Sequence, residues 1–402
     1  MNTAYIYDAV RTPRGKGREG GALNSVTPLE LQKTLIKAVL ERIALDPHAI
    51  DDVILGCVTQ VGEQGGNIAK VAALCSGLPH TVSGVTLNRY CTSGLDACNF
   101  AAMKIMTGMD EVVLAGGVES MSRVPMLADK ASFYVDPAVI KAAPFVPMGL
   151  AADLVASLDG ISREECDAYA VQSQTRAAAA QQDGSFSRSL VAVLNAETGE
   201  EVTRDESVRA GMTVEKLARF DPLFSELGKM GYVDAFTAAF PELGEMQYLH
   251  HTGNSPGIVD GASLVVLGSE QAGTKLGLKP RAKVHTMSNV SANQLLALTG
   301  GIEAATNALH KAGMNHSDVD LIEFNEAFAA VSIKFVRDTE WTSDQVNVNG
   351  GAIALGHAMG ATGASLLGTV LDELEQRDLN VGLVAVSGAA GIGTATIIER
   401  VH

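Results

Sequence analysis

The sequence predicts an α/β protein made of two similar mixed halves packed in a layered core, with a loop subdomain inserted into the first half. Three observations carry this. Apolar strand patterns alternate with helical patterns in both halves, which is the signature of βαβ units. The stretches CTSGLDACNFAAMKIMTGMDEVVLAGG (91–117) and HAMGATGASLLGTVLDELEQRDLNVGLVAVSG (357–388) each run from a chemically reactive residue at a corner into a small-residue helix and then into a buried strand, so the halves read as two copies of one unit. Between them, from Glu119 to about His250, the alternation breaks for far longer than a connecting loop.

Taken in order, TAYIYDAV (3–10), DDVILGCV (51–58), GVTLNRY (84–90) and EVVLAGG (111–117) have the apolar, β-branched character of strands. A helix is expected over 27–43, where Thr27 suits the N-cap and Pro28 the first helical position. The insertion carries one long amphipathic helix, SREECDAYAVQSQTRAAAAQQ (162–182), and looser polar segments suited to a lid or binding subdomain. The second half reads strand 282–290, helix 301–313, strand 318–324, helix 325–336, strand 345–351, helix 360–377 and closing strands 381–388 and 394–401. This gives a first domain over 1–268, holding the insertion at about 119–250, and a second over 279–402.

Composition narrows the function. With 402 residues, 47% hydrophobic and 19% charged, the chain can bury a large core. Lys plus Arg number 30 against 46 Asp plus Glu, a net charge of −16, and no basic stripe with interleaved aromatics is present, so nucleic acid is not an expected partner. The first residues, MNTAYIYDAVRTPRGKG, lack a basic start followed by an apolar run, and no stretch approaches 18 uninterrupted apolar residues. A cytoplasmic protein without a membrane span is expected. The five cysteines, Cys57, Cys75, Cys91, Cys98 and Cys166, are odd in number and lack C-x-x-C spacing, so they are read as reduced thiols.

Cys91 is placed in the first turn of a helix, where backbone N–H groups and the positive end of the macrodipole lower a thiol's pKa and make a nucleophile. The competing reading, a buried small hydrophobe, is assigned to Cys57, Cys75 and Cys98. His357 stands in the glycine-rich NGGAIALGHAMGATG (349–363), either as a loop residue or as a base that takes a proton from Cys91 or polarises a carbonyl. Asn325 and Glu326 in EFNEAFAAV (323–331) either cap the next helix or, through the Asn325 amide, contribute to an oxyanion hole. SGAAGIGTA (387–395) lies between strands with no helix following, which excludes a dinucleotide fingerprint. His250 and His251 lack a third ligand at usable spacing, so no metal site is expected.

In combination, RTPRGKG, NRYCTSGL, AGGVESMS, GNSPGIVDGA, FNEAFA, NVNGGAIALGHAMGATG and GIGTATIIE resemble the thiolase family, the 3-ketoacyl-CoA thiolases and acetyl-CoA acetyltransferases, over essentially the whole chain. HHTGNSPGIVDGA and VPMGLAADLVA resemble members that work in fatty-acid β-oxidation. The resemblance implies a thiolase-like fold and a two-stage acyl transfer in which Cys91 takes an acyl group from a CoA thioester. CoA then attacks it in thiolytic cleavage, or an acetyl-CoA carbanion does in Claisen condensation. It implies that His357 activates Cys91, that Asn325 and His357 hold the water of one oxyanion hole, and that the Cys91 N–H serves a second. It implies that Arg209, in DESVRAGMT, contacts the CoA nucleotide, and a cation there suits a polyanionic ligand on an acidic protein. CoA and acyl-CoA are implied as substrates with no further cofactor. A homodimer or homotetramer, and a β-oxidation hydratase/dehydrogenase subunit, are the partners it suggests.

The sequence departs from the family pattern at the second acid/base. The family's cysteine in a C-x-G-G-G-x-G segment is Ser387 here, in SGAAGIG, and no cysteine lies beyond Cys166. A thiol with a reference pKa of about 8.5 is readily tuned to neutrality, whereas a hydroxyl is far too weak an acid. Loss of a matched acid/base costs about 10²–10⁴-fold in rate. The expected activity is therefore an acyltransferase with Cys91 acylation intact and the second half-reaction slowed or altered. The alternatives are an acyl-CoA hydrolase or acyltransferase with another acceptor, and a noncatalytic CoA-binding subunit. Pro256, Ala358 and Gly301 also depart from the pattern, as does Ala389, whose backbone N–H serves the second hole only if the residue does not need positive φ.

Overall fold

The computed structural model describes residues 2–402. Five strands precede the insertion: β1 (Ala4–Arg11), β2 (Gly15–Lys16), β3 (Asp52–Gly56), β4 (Val85–Leu87) and β5 (Val112–Ser120). The insertion carries its own short pair, β6 (Val193–Leu194) and β7 (Glu201–Val202), and β8 (Val259–Ser269) completes the first half. The second half contributes β9 (Ala282–Ser291), β10 (Leu321–Phe324), β11 (Val381–Ser387) and β12 (Ile392–Arg400).

The strand order is β10-β11-β12-β9-β1-β8-β5-β3-β4. Read outward from the β1/β9 pair, the two halves match. β1 and β9 pair antiparallel with β8 and β12, these pair antiparallel with β5 and β11, and those run parallel to β3 and β10. In the position of β4 the second half has only one parallel bridge, Ile322 to Val346, so the strand expected over 345–351 does not form. Asn347 explains this: it takes the left-handed φ of 51° and spends its side chain on the Phe324 N–H and C=O, each at 2.8 Å.

The core is layered helix, sheet, helix, sheet, helix, the two sheet layers being the halves of one sheet joined at the β1/β9 pair. Helices Pro28–Arg42 and Ile68–Cys75 cover the outer face of the first half, with Leu31, Leu35, Ile36 and Val39 packed on Leu55, Leu114 and Leu264. Helices Gly300–Ala312 and Ala329–Asp338 do the same for the second half, over Ile322, Leu383 and Ile397. Between the two halves of the sheet lie helices Ser93–Met106 and Met359–Gln376, whose packed faces are built from small and aliphatic residues such as Ala97, Ala101, Ala364 and Leu367.

Thr27 caps its helix as expected, its Oγ1 accepting from the Glu30 N–H at 3.2 Å. The insertion begins one residue beyond β5, so Glu119 belongs to the core and is fully buried. It includes the predicted helix as Arg163–Asp183 with a Ser162/Glu165 capping box, and a second buried helix, Met148–Leu158, that the sequence did not announce. Cys75 is exposed, not buried: it ends a short helix on the side facing solvent. Cys57 and Cys98 are buried as expected.

Candidate active site

Four segments converge where the two central helices begin. Cys91 ends the turn that follows β4, Asn325 follows β10, Ser387 ends β11, and His357 precedes helix Met359–Gln376. Glycines make the convergence close. A Cβ on Gly94 would stand 2.6 Å from the Gly360 carbonyl oxygen, and one on Gly117 would stand 1.9 Å from it. The two helix starts therefore cross backbone to backbone. A Cβ on Gly388 would lie 3.4 Å from the Arg89 carbonyl oxygen and from Tyr90 Cβ, which sets the end of β11 against the Cys91 turn. The segment 254–257 joins the other two members: the Asn254 carbonyl accepts from the Ala329 N–H at 3.2 Å and the Gly257 carbonyl accepts from the His357 N–H at 2.9 Å. Three residues of chain reach at most about 10 Å.

Tyr90 holds the corner in the left-handed region, φ 51°, a conformation costly for a non-glycine residue and kept by its surroundings. The Arg89 N–H donates to Ser93 Oγ at 2.8 Å, and Arg89 Nη1 bonds Asp96 Oδ1 at 2.7 Å. Asp96 also accepts from Asn289 Nδ2 at 2.8 Å and Thr394 Oγ1 at 3.0 Å, so the second half anchors the Cys91 corner of the first.

Cys91 sits one residue before the Thr92 cap and outside the first helical turn. Burial pushes its thiol up to about 12, with the Glu119 carboxylate adding to the effect and the residue's own N–H opposing it. This corrects the expectation of a lowered pKa: loss of water outweighs the helix terminus. A thiol held this way can act as a nucleophile only with a base to take its proton.

His357 can supply one. Burial, then the Arg14 charge, lower its imidazole to about 4, so it is neutral at physiological pH. Its Nδ1 lies 2.8 Å from Thr362 Oγ1, and that hydroxyl donates to the Ala358 carbonyl at 2.9 Å. With its proton committed, Thr362 can only accept, which places the imidazole proton on Nδ1 and the lone pair on Nε2. Nε2 is buried and has no partner among the described residues. Asn325 is in the same condition: 1% exposed, with neither Nδ2 nor Oδ1 partnered. It does not cap the next helix, which starts at Ala329 behind Phe328. Its backbone is fixed by N–H donation to the Ala385 carbonyl at 3.0 Å, and the turn behind it by Glu326, which accepts from Ser173 Oγ at 2.7 Å and the Ile353 N–H at 3.0 Å. Unpaired buried polar atoms cost about 1–3 kcal/mol each, so three together point to groups awaiting a ligand or water.

Ser387 is fully buried and accepts from the Gly301 N–H at 2.9 Å. Ala389 stays outside the left-handed region, and it is Ala390 that takes φ 59°. Arg209 is not among the converging residues. It is exposed on a loop, its N–H donating to Gln174 Oε1 at 2.7 Å, although Ser207 on that loop approaches within 3.8 Å of a Cβ placed on Gly257.

The sequence of this chain matches the thiolase N-terminal domain family over residues 4–271 and the thiolase C-terminal domain family over residues 278–400. The chain belongs to the thiolase family. It is 39% identical to a 3-ketoacyl-CoA thiolase of Shigella boydii and 39% identical to one of Escherichia coli, each over 100% of both chains. The crystal structure of the Bacillus anthracis acetyl-CoA acetyltransferase superposes with a TM-score of 0.86 at 34% identity, covering 100% of this chain and 99% of that one.

As a thiolase it holds residues at the site that its sequence motifs did not single out. Thr362, which fixes the His357 tautomer, has no signal beyond sitting five residues past a histidine in a glycine-rich stretch. Asp96 sits one helical turn beyond the corner. His250 and His251 serve elsewhere: each pairs with its own carboxylate, Asp153 at 2.7 Å and Asp167 at 2.8 Å.

Proposed function

We propose that this thiolase is an acyl-CoA:CoA acyltransferase acting on 3-ketoacyl-CoA and acetyl-CoA through an acyl-enzyme on Cys91. The observation that carries the reading is the set of orphaned buried atoms, His357 Nε2 and both polar atoms of the Asn325 amide, on segments that converge with the Cys91 turn, whose thiol needs a base. Nε2 takes the Cys91 proton as sulfur attacks the thioester or ketone carbonyl, and the Asn325 amide with the imidazolium stabilises the oxyanion. In cleavage, the bond between Cα and the 3-keto carbon breaks and leaves the acyl group on Cys91. The departing acetyl-CoA carbanion takes a proton, and CoA sulfur then displaces the acyl group as Cys91 leaves as thiol.

Ser387, in the position of the family's second acid/base, is the group that would protonate or form the carbanion. Its oxygen already accepts a backbone N–H, so it serves as a proton donor better than as an acceptor. Protonation of the carbanion in cleavage and its formation in condensation are one step in opposite directions, so a hydroxyl in this place slows both, which supports a second reading in which water replaces the carbanion as acyl acceptor. Arg209, exposed on the 205–209 loop, is the cation for the CoA phosphates.

A β-oxidation role and a homodimer belong to the same reading. β4 is an open sheet edge that carries exposed Val85, and helix Ser93–Met106 exposes Phe100 and Met103, apolar surface suited to a second copy. Five unpaired cysteines suit a reducing cytoplasmic setting. Among the described residues no helix is long and apolar enough to cross a membrane.

The test is intact-mass measurement after mixing with acetoacetyl-CoA. An acetyl group on the wild type and none on Cys91→Ala is the expected result. An unmodified wild-type chain would exclude the acyl-enzyme, and free acetate above the Cys91→Ala background would select the hydrolytic reading.

A further inference from the structure

Arg14 is a buried guanidinium without a carboxylate. It is 5% exposed, its Nη1 has no hydrogen-bond partner, and among the described residues it forms no ion pair. Asp205, the nearest acid in the chain's hydrogen-bond pattern, is already used. Arg11 grips both of its oxygens at 2.8 and 2.9 Å, and the Arg14 backbone N–H takes Oδ1 at 2.9 Å.

The Arg14 side chain passes under the His357 loop. A Cβ on Gly261 would touch Arg14 Cγ at 3.6 Å and Ala358 Cβ at 3.5 Å. The side chain opens on a small cavity lined also by Glu323, Gly350, Gly356, Thr362 and Thr369, with room for about one water. Thr362 on this wall is the hydroxyl that bonds His357 Nδ1.

Glu323 faces the same cavity, and its neighbours decide its charge. Glu326 accepts from Ser173 at 2.7 Å, the Ile353 N–H at 3.0 Å and Tyr169 at 3.2 Å, and Glu373 accepts from Asn349 and Arg377 at 2.7 Å each. Those carboxylates are solvated by the protein. Glu323 has no such donors among the described residues, and a third buried anion beside the two is unfavourable. Burial first, then Glu326 and Glu373, raise its carboxyl well above the usual range, against the opposing pull of Arg14 and Arg176. Burial, then Arg11, lower Arg14 to about 10 against the pull of Asp205 and Glu323, which still leaves it charged at neutrality.

We propose that Arg14 is a positioning residue for the reaction: its guanidinium, without an ion-pair partner beneath the His357 loop and across a shared cavity from Thr362 and Glu323, adds to burial in opposing a positive charge on the His357 imidazole. A cation in a dry site opposes a second positive charge on the imidazole far more than one in water does. Without it, the imidazolium would hold the Cys91 proton more tightly and the acid limb of Cys91 reactivity would move up in pH. The inference rests on the reading of His357 as the base for Cys91.

The experiment follows Cys91 alkylation by iodoacetamide against pH in the full chain, alongside Arg14→Met and Arg14→Lys. Arg14→Met should move the acid limb upward by about half to one pH unit, and Arg14→Lys, which keeps the charge, should leave it in place. A folded Arg14→Met protein with the wild-type limb overturns the inference. Infrared difference spectra of wild type against Glu323→Gln give an independent arm, decisive also where Arg14→Met does not fold. The carbonyl band of a protonated buried carboxylic acid should be present in the first and missing from the second, and its absence from the wild type at neutral pH overturns the inference equally. If Cys91 takes no acyl group from acyl-CoA in any variant, it is the catalytic reading that fails, while the limb shift and the infrared band still judge the role of Arg14.

Discussion

The Gly301 amide donates to the Ser387 hydroxyl at 2.9 Å, and a Cβ on Gly301 would stand 2.7 Å from that same oxygen. The two residues are matched in space and in chemistry. The amide belongs to the first turn of helix Gly300–Ala312, so the Ser387 lone pair meets a helix N-terminus. A hydroxyl held this way offers its proton and has little basicity to spare.

Replacing Ser387 with cysteine supplies a group that can both give and take a proton near neutrality. Ser387→Cys is predicted to accelerate acetoacetyl-CoA thiolysis by about 10²-fold or more, with Cys91→Ala as the blank. Condensation of acetyl-CoA should gain at least as much, because it needs the base. Equal rates in parent and variant would mean that another group transfers the proton.

Thr362 fixes which nitrogen of His357 carries the proton, through bonds of 2.8 Å to Nδ1 and 2.9 Å to the Ala358 carbonyl. Thr362→Val keeps the shape and removes the acceptor. Acylation of Cys91, measured as the single-turnover burst, should fall about tenfold or more, with Thr362→Ser restoring most of it. A burst unchanged in the valine variant would remove Thr362 from the mechanism.

Protonation of His357 also links to stability. Its folded pKa of about 4 lies below the unfolded value of about 6.5, so the unfolded chain binds more protons between them and stability falls as pH drops through that window. Glu323, raised, acts with the opposite sign. Denaturant midpoints for wild type and His357→Asn should therefore diverge, the wild type losing more between pH of about 6.5 and about 4. Parallel pH curves would contradict the assignment.

Much of this site is legible in the sequence because glycine and small residues mark it. Cys91 and His357 both stand just before a small-residue helix, and the repeat of corner, small-residue helix and strand survives as mirrored strand orders about β1 and β9. What local pattern does not encode is environment. The thiol of Cys91 looks activated beside a helix terminus, yet burial raises it. β8 does not read as a strand at its start, VDGAS, because it is buried throughout and shows no alternation. Asn325 resembles a cap until the turn through Phe328 delays the helix to Ala329. Arg14 reads as one more basic residue in RTPRGKG, and its burial follows from the fold alone.

Gly117 tests whether the backbone crossing organises the site. Its Cα faces the Gly360 carbonyl so closely that a methyl would sit 1.9 Å from the oxygen and 2.8 Å from the Gly56 carbonyl oxygen. Neither neighbour is a flexible side-chain end, so the methyl can be housed only by separating helix Met359–Gln376 from β5. The Gly360 N–H donates to Glu119 Oε2 at 3.0 Å, and Glu119 also accepts from the Val58 and Thr59 N–H groups, so the separation would strain those bonds as well. Gly117→Ala should destabilise the protein by about 1–3 kcal/mol in denaturant unfolding. Because His357 lies three residues before Gly360, the variant should also lose Cys91 acylation under conditions where it remains folded. A variant as stable and as readily acylated as the wild type would show that the helix starts can part without disturbing the residues they carry.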